Sequence, residues 1–433
     1  MNIKQVFAFI LKCRSNIYTY YNFKKGEKMK RTLIIITVAL VFIAGGCQKE
    51  TEQKAEIKPA VAVEQESPTA PVTPARPSNA ELHAYKAYHH ARYMVQTAEE
   101  VGGTNKLLHT KRLPTEGTDA VVTPALDHLY SKAIIDLTSG PVTVEFPEGI
   151  NDRYWSIHIT DQEHYTIFDE IRPVGKYTLV RKGKEMKATE GATIIECSED
   201  YPHLFVRIQV KNDEDLPNTL AIQETLKLTG ESKELKIDNY IEFTLATHDV
   251  YEQNKGLLET VIDFSEEDYN RVTKYVVERM KTIPNNMGAF GPINSEEPHS
   301  NDPEVRAAAI IGHLGLPAEH ALYTANFVNC DGEMLNGDKT EVYTFPFSPD
   351  GVKEFWSITR YSQITRNTLP GKNDIFNSFN TKPDADGNIT ITFSVEDPKD
   401  GTYWMAVNAG EPYYFIGRYY KPDLNNIPAG PCK

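Results

Sequence analysis

A short stretch of the chain combines residue types that could do acid–base chemistry. Asp127, His128 and Tyr130 lie within four positions of one another, on a predicted loop or early strand, and Arg153 follows further along. An Asp beside a His can act as a general acid–base pair or provide half of a metal site. An arginine can hold a carboxylate or phosphate with two parallel hydrogen bonds. The alternative, which we favour, is that Asp127 and Arg153 form a buried structural ion pair between strand ends.

Other histidines and acidic residues could bind a metal, but their spacing does not favour it. Residues 158–164 include two histidines and two acidic residues, yet no tight ligand pattern such as His-Glu-x-x-His is present. His89 and His90 are adjacent in a predicted helix, where neighbouring side chains point about 100° apart and do not easily share one ion. No metal site is therefore predicted. Nucleotide-binding and nucleophile-elbow motifs are also absent, so the sequence leaves any cofactor open.

The tryptophans could stack on sugars or on apolar ligands, because their rings are large and flat. Trp155 and Trp356 both lie in predicted strands. Large aromatic side chains on strands more often pack in a hydrophobic core, which is the competing interpretation. We treat both residues as candidate binding residues and leave the core alternative open.

The sequence around these two tryptophans indicates an internal repeat. Residues 146–157 read FPEGINDRYWSI and residues 347–358 read FSPDGVKEFWSI. Each copy combines a Pro–acidic–Gly turn, which the glycine permits, with a strand that begins aromatic-Trp-Ser-Ile. A later aromatic strand ends in an arginine in both halves, at Arg207 and at Arg418. Two related β-domains are therefore predicted, with the alternative that unrelated β-domains share ordinary turns and strands.

The order of the predicted elements gives an α+β fold that is mostly β, with two jelly-roll- or sandwich-like β-domains joined by a helical segment. Ser78 and Glu81 have capping-box spacing, so a helix is predicted to open the first domain. Short strands separated by turn residues follow in both halves. These strands are predicted at residues 142–146, 154–160, 177–180, 193–196, 204–210, 342–347, 355–360, 389–395, 403–407 and 413–420. The predicted segments are an N-terminal domain at 79–250, a helical connector at 251–320 and a jelly-roll-like domain at 321–433.

The N-terminal region has the features of an export signal. Lys30 and Arg31 precede a short apolar run that ends in small residues before Cys47. This pattern is typical of a secretory signal peptide, and the run is too short to favour a spanning helix. The small–small–Cys ending resembles the lipobox of bacterial lipoproteins, which implies cleavage before Cys47 and acylation of its thiol. The alternative is a plain cleaved signal with an incidental cysteine.

The start of the signal peptide indicates where translation begins. A normal basic region would start at Met29, which makes residues 29–46 the signal peptide. We interpret residues 1–28 as a mistranslated leader.

The segment after Cys47 is predicted to be a spacer. Residues 47–78 are rich in Pro and Glu and cannot bury a core, so a disordered, semi-extended tether is expected. No Asp directly follows Cys47, so retention in the inner membrane is not signalled. We therefore expect a lipid-anchored protein of the cell envelope, at the outer membrane, on its periplasmic face or at the cell surface.

The charge of the chain argues against one class of partner. Its formal net charge is −14, with 46 Lys or Arg and 60 Asp or Glu. Residues 1–46 hold eight of the basic residues and one Glu. The rest of the chain therefore has 38 basic and 59 acidic residues, a net charge of −21. Such an acidic body repels phosphate backbones and anionic lipid. Nucleic acid is not an expected partner, and membrane contact is expected only through the lipid on Cys47.

Several motifs are shared with a known bacterial family. In the N-terminal half they are VTPALDHLY at 122–130, IDLTSGPV at 135–142 and DRY at 152–154, and in the C-terminal half LNG at 335–337, FWSITRY at 355–361 and FIGRYYKP at 415–422. The chain thus resembles the family that pairs two domains of unknown function, DUF1254 and DUF1214. The resemblance implies a β-rich two-domain fold with a jelly-roll-like C-terminal part. It does not imply an established activity. Arg360 and Arg418 lie in these motifs and join the candidate binding residues.

Two functions remain open. The favoured one is an envelope lipoprotein whose β-domains bind a small molecule, a glycan or a protein. The alternative is a metal-assisted or hydrolytic envelope enzyme with a site between the domains near Asp127, His128 and Arg153. The surroundings of Asp127 separate the two: a carboxylate open to a cleft beside His128 and Arg153 favours the enzyme, whereas one sealed in an ion pair favours binding.

Overall fold

The computed structural model describes residues 74–114, 123–249, 252–292, 300–312, 314–346, 351–369 and 373–426 of the chain. The predicted leader, the predicted signal peptide, Cys47 and the tether up to residue 73 lie outside the described residues. No helix in the described part is both long enough and apolar enough to cross a membrane.

The first described element is a long helix, α1, Asn79–Val101. It begins with the predicted capping box: Glu81 N donates to Ser78 Oγ (3.2 Å), and Ser78 N donates to Glu81 Oε2 (2.7 Å). Two backbone N–H groups at the helix start are satisfied in this way. The helix ends at Gly102, whose φ of 73° lies in the left-handed region that favours glycine.

The N-terminal half forms two packed sheets. Its strands are β1 Leu108–His109, β2 His128–Ile134, β3 Val142–Phe146, β4 Trp155–Thr160, β5 Thr166–Ile171, β6 Gly175–Arg181, β7 Thr193–Cys197, β8 His203–Gln209 and β9 Lys227–Thr229. The larger sheet has the order β1-β2-β8-β4-β5, and the smaller has the order β7-β6-β3-β9. Side chains alternate along a strand, so Trp155, Ile157 and Ile159 of β4 point into the core between the sheets, where they meet Val144 and Leu179.

The C-terminal half is a second sandwich. Its strands are β10 Ala321–Asn326, β11 Glu341–Pro346, β12 Val352–Ser362, β13 Ile375–Asn377, β14 Asn388–Ser394, β15 Tyr403–Ala406 and β16 Tyr413–Pro422. The sheets have the orders β10-β16-β12-β13 and β11-β14-β15. Trp356 and Ile358 of β12 pack in its core against Phe345, Phe393 and Phe415. The predicted α+β class, mostly β, is confirmed.

The strands β2 to β8 correspond one by one to β10 to β16. Leaving out β1 and β9, which have no counterpart, each half has four antiparallel strands in one sheet in the same order. The other sheet then has one antiparallel and one parallel pairing at matching places. The register also agrees: Ser156 lies opposite Arg207, and Ser357 lies opposite Arg418. The predicted repeat is therefore present, and the tryptophan before each serine occupies the corresponding position.

Four of the other described helices pack around α1, and a fifth, at Leu216–Gln223, packs against β2 and β8. The described residues form α2 Leu216–Gln223, α3 Tyr240–Thr247, α4 Glu252–Glu259, α5 Glu266–Met280 and α6 Pro303–Ala309. Leu82 and Tyr85 of α1 share a core with Ile241, Val272 and Ala307 from α3, α5 and α6. Helices thus occur both within residues 79–250 and within residues 251–320, and the domain boundaries given above stay a prediction.

The larger sheets of the two sandwiches face each other. Tyr154 of the first contacts Phe355 and Tyr420 of the second, and the rings of Phe355 and Tyr420 stack with centroids 4.2 Å apart and planes within 9°. At the edge of this contact, Arg172 Nη1 and Nη2 donate to Glu354 Oε1 (2.8 Å) and Oε2 (2.6 Å). The outer sheet faces, which would meet water in an isolated sandwich, are therefore buried against each other.

Candidate functional site

Asp127 and His128 are sealed at the contact between the two larger sheets. Their side chains are 1% and 0% exposed, and His128 Nδ1 lies 2.8 Å from Asp127 Oδ1. Tyr154, Phe355 and Tyr420 surround the imidazole, with ring centroids at 5.5, 5.6 and 5.2 Å. The arrangement is a buried Asp–His pair and not an acid–base site that a substrate could reach.

The charges around Asp127 stabilise its ionised form. Burial alone would raise its pKa, but the His128 imidazole and the Arg418 guanidinium are the main groups that outweigh burial and lower the pKa. Burial also tends to lower the pKa of Arg418, yet Tyr361 and Asp127 help to raise it. Asp127 and Arg418 are therefore both charged at neutral pH, and neither is poised to exchange a proton there.

Arg153 lies apart from this pair. Its Nη1 and Nη2 atoms donate to Asp215 Oδ2 (2.9 Å) and Oδ1 (3.0 Å), and Nη1 also donates to Thr219 Oγ1 (2.9 Å). This bidentate ion pair fixes the start of β4 to the turn before α2. The expected ion pair between Asp127 and Arg153 is therefore wrong. Asp127, His128 and Arg153 are not brought together around one open site.

Three other candidate residues are buried inside the sandwiches. Trp155 and Trp356 are 0% and 8% exposed, and Trp155 packs edge-on against Phe146 with centroids 5.5 Å apart. Arg360 is fully buried and forms an ion pair with Asp374. The core alternative thus holds for both tryptophans, and Arg360 has a structural partner.

Asp161 and His164, from the segment 158–164, accept hydrogen bonds from backbone N–H groups. Asp161 Oδ1 accepts hydrogen bonds from Glu163 N (2.9 Å) and Tyr165 N (2.8 Å), and His164 Nε2 accepts one from Leu314 N (2.7 Å). Within the described residues, no group of three or more His, Cys, Asp or Glu side chains could hold a metal ion.

A cleft with a cavity volume of about 200 Å³ is lined by strands of both larger sheets and by α5, α6 and the segments next to them. The candidate residues Tyr130 and Arg418 line it. The helical side is apolar and consists of Met280, Ile283, Val305, Ala308 and Ala309. Aromatic rings cover much of the rest, from Phe205, Phe290, Tyr323, Phe327, Tyr414 and Tyr420. A concave, mostly apolar surface with a few polar groups is the common form of a small-molecule site.

Two arginines enter the cleft from the corresponding strands β8 and β16. Arg207 and Arg418 are each 5% exposed. Arg207 Nη2 donates to Leu314 O, and its guanidinium carbon lies 4.6 Å from the centre of the Phe205 ring. Arg418 Nη2 donates to Thr123 O (2.8 Å). The Nη1 atom of each is buried and has no hydrogen-bond partner among the described residues. Arg207 is missing from the predicted site residues, although its match to Arg418 in the repeat was a signal that could identify it.

The described side chains that line the cleft carry positive charge only. Lys132 adds a third cation to the two arginines, and its Nζ donates to Tyr93 OH (2.6 Å). No Asp or Glu is among these lining residues, although the whole chain has a formal charge of −14. Because apolar walls exclude water, these charges act more strongly than they would at the surface. The cleft is therefore a cationic site in an acidic protein.

Residues 104–230 match the family described as protein of unknown function DUF1254, and residues 320–424 match the family described as DUF1214. The chain belongs to the family that pairs these two domains. The resemblance inferred from the motifs is confirmed. The DUF1254 match contains β1 to β9 and the DUF1214 match contains β10 to β16, so Arg207 and Arg418 come from different domains. No curated protein matches the sequence.

Solved structures are similar over most of the chain. The VPA0106 protein from Vibrio parahaemolyticus has a TM-score of 0.61 and 20% sequence identity, with 82% of this chain and 96% of that chain covered. An uncharacterized protein from Burkholderia cenocepacia has a TM-score of 0.44 and 14% identity, with 79% and 84% covered. At such identity, the first likeness shows the shared fold alone.

A buried hydrogen-bonded chain joins the DUF1254 and DUF1214 domains and was not predicted. His320 Nδ1 lies 2.5 Å from Asp169 Oδ2, His320 Nε2 lies 2.8 Å from Tyr154 OH, and that hydroxyl lies 3.0 Å from Ser156 Oγ. Burial lowers the pKa of His320, although Asp169 opposes the shift. The Tyr154 hydroxyl donates to Ser156 Oγ, and the tautomer of His320 sets which group donates in its bonds to Tyr154 and Asp169. These bonds help to hold the two larger sheets in position.

Proposed function

We propose that this protein is a lipid-anchored component of the cell envelope that binds a small organic molecule in the cleft between its DUF1254 and DUF1214 domains. One observation carries the proposal. The cleft has a volume of about 200 Å³, mostly apolar and aromatic walls, and a few polar groups contributed by both domains. Sites of this form bury an apolar ligand and orient it by the polar groups.

The surroundings of Asp127 support binding over catalysis. The hydrolytic or metal-assisted alternative needs Asp127 and His128 open to a substrate beside Arg153. Asp127 is instead 1% exposed against His128, and Arg153 is held by Asp215. A buried carboxylate with a lowered pKa is a poor general acid or base at neutral pH.

The N-terminal sequence supports the location. Lys30, Arg31 and the apolar run before Cys47 have the order of a lipoprotein signal, and the Pro-rich residues after Cys47 suit a spacer between lipid and domains. Cys330 is disulfide-bonded, and disulfides persist in oxidising compartments such as the periplasm. The favoured location is the outer membrane, on its periplasmic face or at the cell surface.

Metabolic labelling tests the anchor. Cells that express the full chain are grown with radioactive palmitate, and the protein is recovered from the membrane fraction. We expect label in the wild-type chain and none in Cys47→Ser. A labelled Cys47→Ser chain, or an unlabelled wild-type chain, would contradict lipidation at this residue.

Binding in the cleft is tested with a neutral apolar probe, N-phenyl-1-naphthylamine, whose fluorescence rises in apolar surroundings. The full chain with Cys47→Ser is used, so that no lipid interferes. We expect saturable binding that Ala309→Trp weakens by about tenfold or more, because a large side chain there fills the cleft. Ala221→Trp is the matched control, since Ala221 is an exposed alanine on α2. Absence of probe binding, or equal losses in the two variants, would refute the proposal.

A further inference from the structure

We infer that the ligand is an amphiphilic organic anion, whose carboxylate or phosphate head binds between the guanidinium groups of Arg207 and Arg418 while its apolar body lies against α5 and α6. This inference rests on the proposed function of the cleft and adds the chemical class of its occupant. The argument depends on where the two arginines come from, on what they leave unpaired and on the charge around them.

The two arginines reach one cleft because of the repeat. Arg207 lies on β8 opposite Ser156, and Arg418 lies on β16 opposite Ser357. The neighbours of Arg207 on β8, Val206 and Ile208, point into the core of the first sandwich, so Arg207 points out of it, toward the second domain. The same alternation applies to Arg418, which follows Phe415 and precedes Tyr419 on β16, both of them core residues. The outer faces of the two sheets therefore present one arginine each.

Within the described residues, neither arginine forms a direct ion pair with a carboxylate. Each donates from Nη2 to a backbone carbonyl, Leu314 O for Arg207 and Thr123 O for Arg418. Each keeps a buried Nη1 without a hydrogen-bond partner among the described residues. Asp127 stabilises the charge of Arg418 but makes its close contact with His128. Buried charges with unsatisfied donors are costly, and an anion that accepts from both Nη1 atoms would remove this cost.

The rest of the cleft suits the two ends of an amphiphile. Lys132 adds positive charge, and no carboxylate is among the described lining residues to compete with an anionic head. Guanidinium groups bind carboxylate and phosphate with short charge-assisted hydrogen bonds. The opposite side, which includes Met280, Ile283 and Val305, offers no charge and would bury an alkyl or aryl body.

A displacement series tests the inference. N-Phenyl-1-naphthylamine is bound to the full chain with Cys47→Ser and displaced by decanoate, by decyl phosphate and by the neutral decanamide. We expect at least one of the two anions to displace the probe at about a tenfold lower concentration than decanamide does, as charge-assisted hydrogen bonds to a buried arginine predict. The better of the two anions identifies the head group. The preference should decrease as NaCl is raised, because salt screens the charges.

Variants assign the preference to the arginines. Arg207→Gln and Arg418→Gln should each remove most of the preference for the anion and leave the affinity for decanamide within about twofold. Arg181→Gln is the matched control. Arg181 is likewise buried, at 8% exposure, and donates hydrogen bonds to Asp249 and Asp200. It does not line the cleft. If a Gln variant fails to fold, the corresponding Lys variant keeps a cation without the bidentate geometry and should show a smaller preference.

The possible failures are distinguishable. If the neutral probe binds and no anion is preferred over decanamide in the wild-type chain, the anion inference is overturned and the cleft remains a binding site. A preference that both arginine variants retain would overturn it as well. If the neutral probe does not bind at all, the proposed function itself is refuted.

Discussion

Arg207 and Arg418 occupy the same register position in the two halves of the chain, each opposite the serine of a Trp-Ser-Ile strand. In a single sandwich this arginine would lie on the outer face of the larger sheet. Because the larger sheets pack against each other around Tyr154, Phe355 and Tyr420, both arginines are buried at one cleft. The duplication thus created a pair of cationic groups that neither domain could form alone.

The first prediction concerns the coupling between these arginines. If one anionic head contacts both, Arg207→Gln and Arg418→Gln should each lower the affinity for decanoate about tenfold. The double variant should then lose much less than the product of the two single losses, because the first change already breaks the shared interaction. Isothermal titration calorimetry of the Cys47→Ser chain measures the three affinities. Two independent anion sites would give multiplicative losses instead.

The aromatic contact between the domains should be a major source of stability. Phe355 is 2% exposed and stacks on Tyr420 at 4.2 Å. Phe355→Ala should lower the free energy of unfolding by about 3–5 kcal/mol, because it leaves a cavity between the sheets. Urea unfolding measures the change. Ile364→Ala, at a residue that is 72% exposed, should change stability by less than about 0.5 kcal/mol. Equal effects of the two substitutions would argue against the packing described.

The hydrogen-bonded chain through His320 can be tested by comparing how the loss of a hydroxyl from two buried tyrosines, Tyr154 and Tyr413, changes stability. Tyr154→Phe removes the hydroxyl that lies 2.8 Å from His320 Nε2. It should cost about 1–3 kcal/mol of unfolding free energy, because the buried His320 and Ser156 side chains each lose a hydrogen-bond partner. Tyr413→Phe should be nearly neutral, since the buried Tyr413 hydroxyl has no hydrogen-bond partner in the described part of the chain. A loss at Tyr413 as large as that at Tyr154 would contradict the role of the chain in holding the sheets.

Much of the fold can be predicted from the sequence because local rules determine it. The capping box at Ser78 predicts α1, and the turn before each Trp-Ser-Ile predicts β4 and β12. The ends of strands are less certain: the strand predicted at 342–347 is Glu341–Pro346. β2 was not among the predicted strand ranges, and its residues His128 and Tyr130 were predicted to lie on a loop or early strand. They lie on a strand here because the outer face of that sheet is covered by the second domain.

The candidate site was harder to predict because its residues are distant in sequence. Arg153 and Asp215 are 62 positions apart, and Tyr154 and His320 are 166 positions apart. A single sequence does not show which distant acid an arginine will contact, so Asp127 was wrongly paired with Arg153. The cleft also depends on α5 and α6, which close one side of it. From the sequence, only the repeat relates Arg207 to Arg418. That both line one cleft follows from the packing of the two larger sheets.

Stability should fall in mild acid because buried histidines remain neutral in the folded chain. Burial lowers the pKa of His90 from 6.5 to about 3 and that of His89 to about 4. Below pH 6.5 the unfolded chain binds protons that the folded chain does not, so stability is lost as the pH falls toward these folded pKa values. Each such histidine removes about 1.4 kcal/mol of unfolding free energy per pH unit.

Urea unfolding between pH 7.5 and 5 measures this dependence. His90→Gln should make it shallower by about one proton, because glutamine does not titrate in either state. A variant with an unchanged slope would show that His90 is protonated in the folded chain or that it contributes nothing to the acid response.

Asp127 should stabilise the domain contact only while it is ionised. Its pKa is lowered below the ordinary value of 3.8, so its contribution is present above that value and is lost as the pH falls through the lower, folded pKa. At pH 7, Asp127→Asn should cost about 3–5 kcal/mol, because it leaves the buried His128 and Arg418 without the carboxylate.

The cost of Asp127→Asn should then shrink gradually as the pH falls from 3.8 through the lower, folded pKa, where the wild-type carboxyl also becomes protonated. Asp152→Asn is the control: the Asp152 side chain is 60% exposed, and its ion pair with Arg153 should contribute less than about 1 kcal/mol. Unfolding curves at pH 7 and in steps from about pH 4 to about pH 2 give both differences. If Asp127→Asn is harmless at pH 7, the carboxyl is not charged in the folded chain. The contact between Asp127 and His128 would then not be what stabilises this interface.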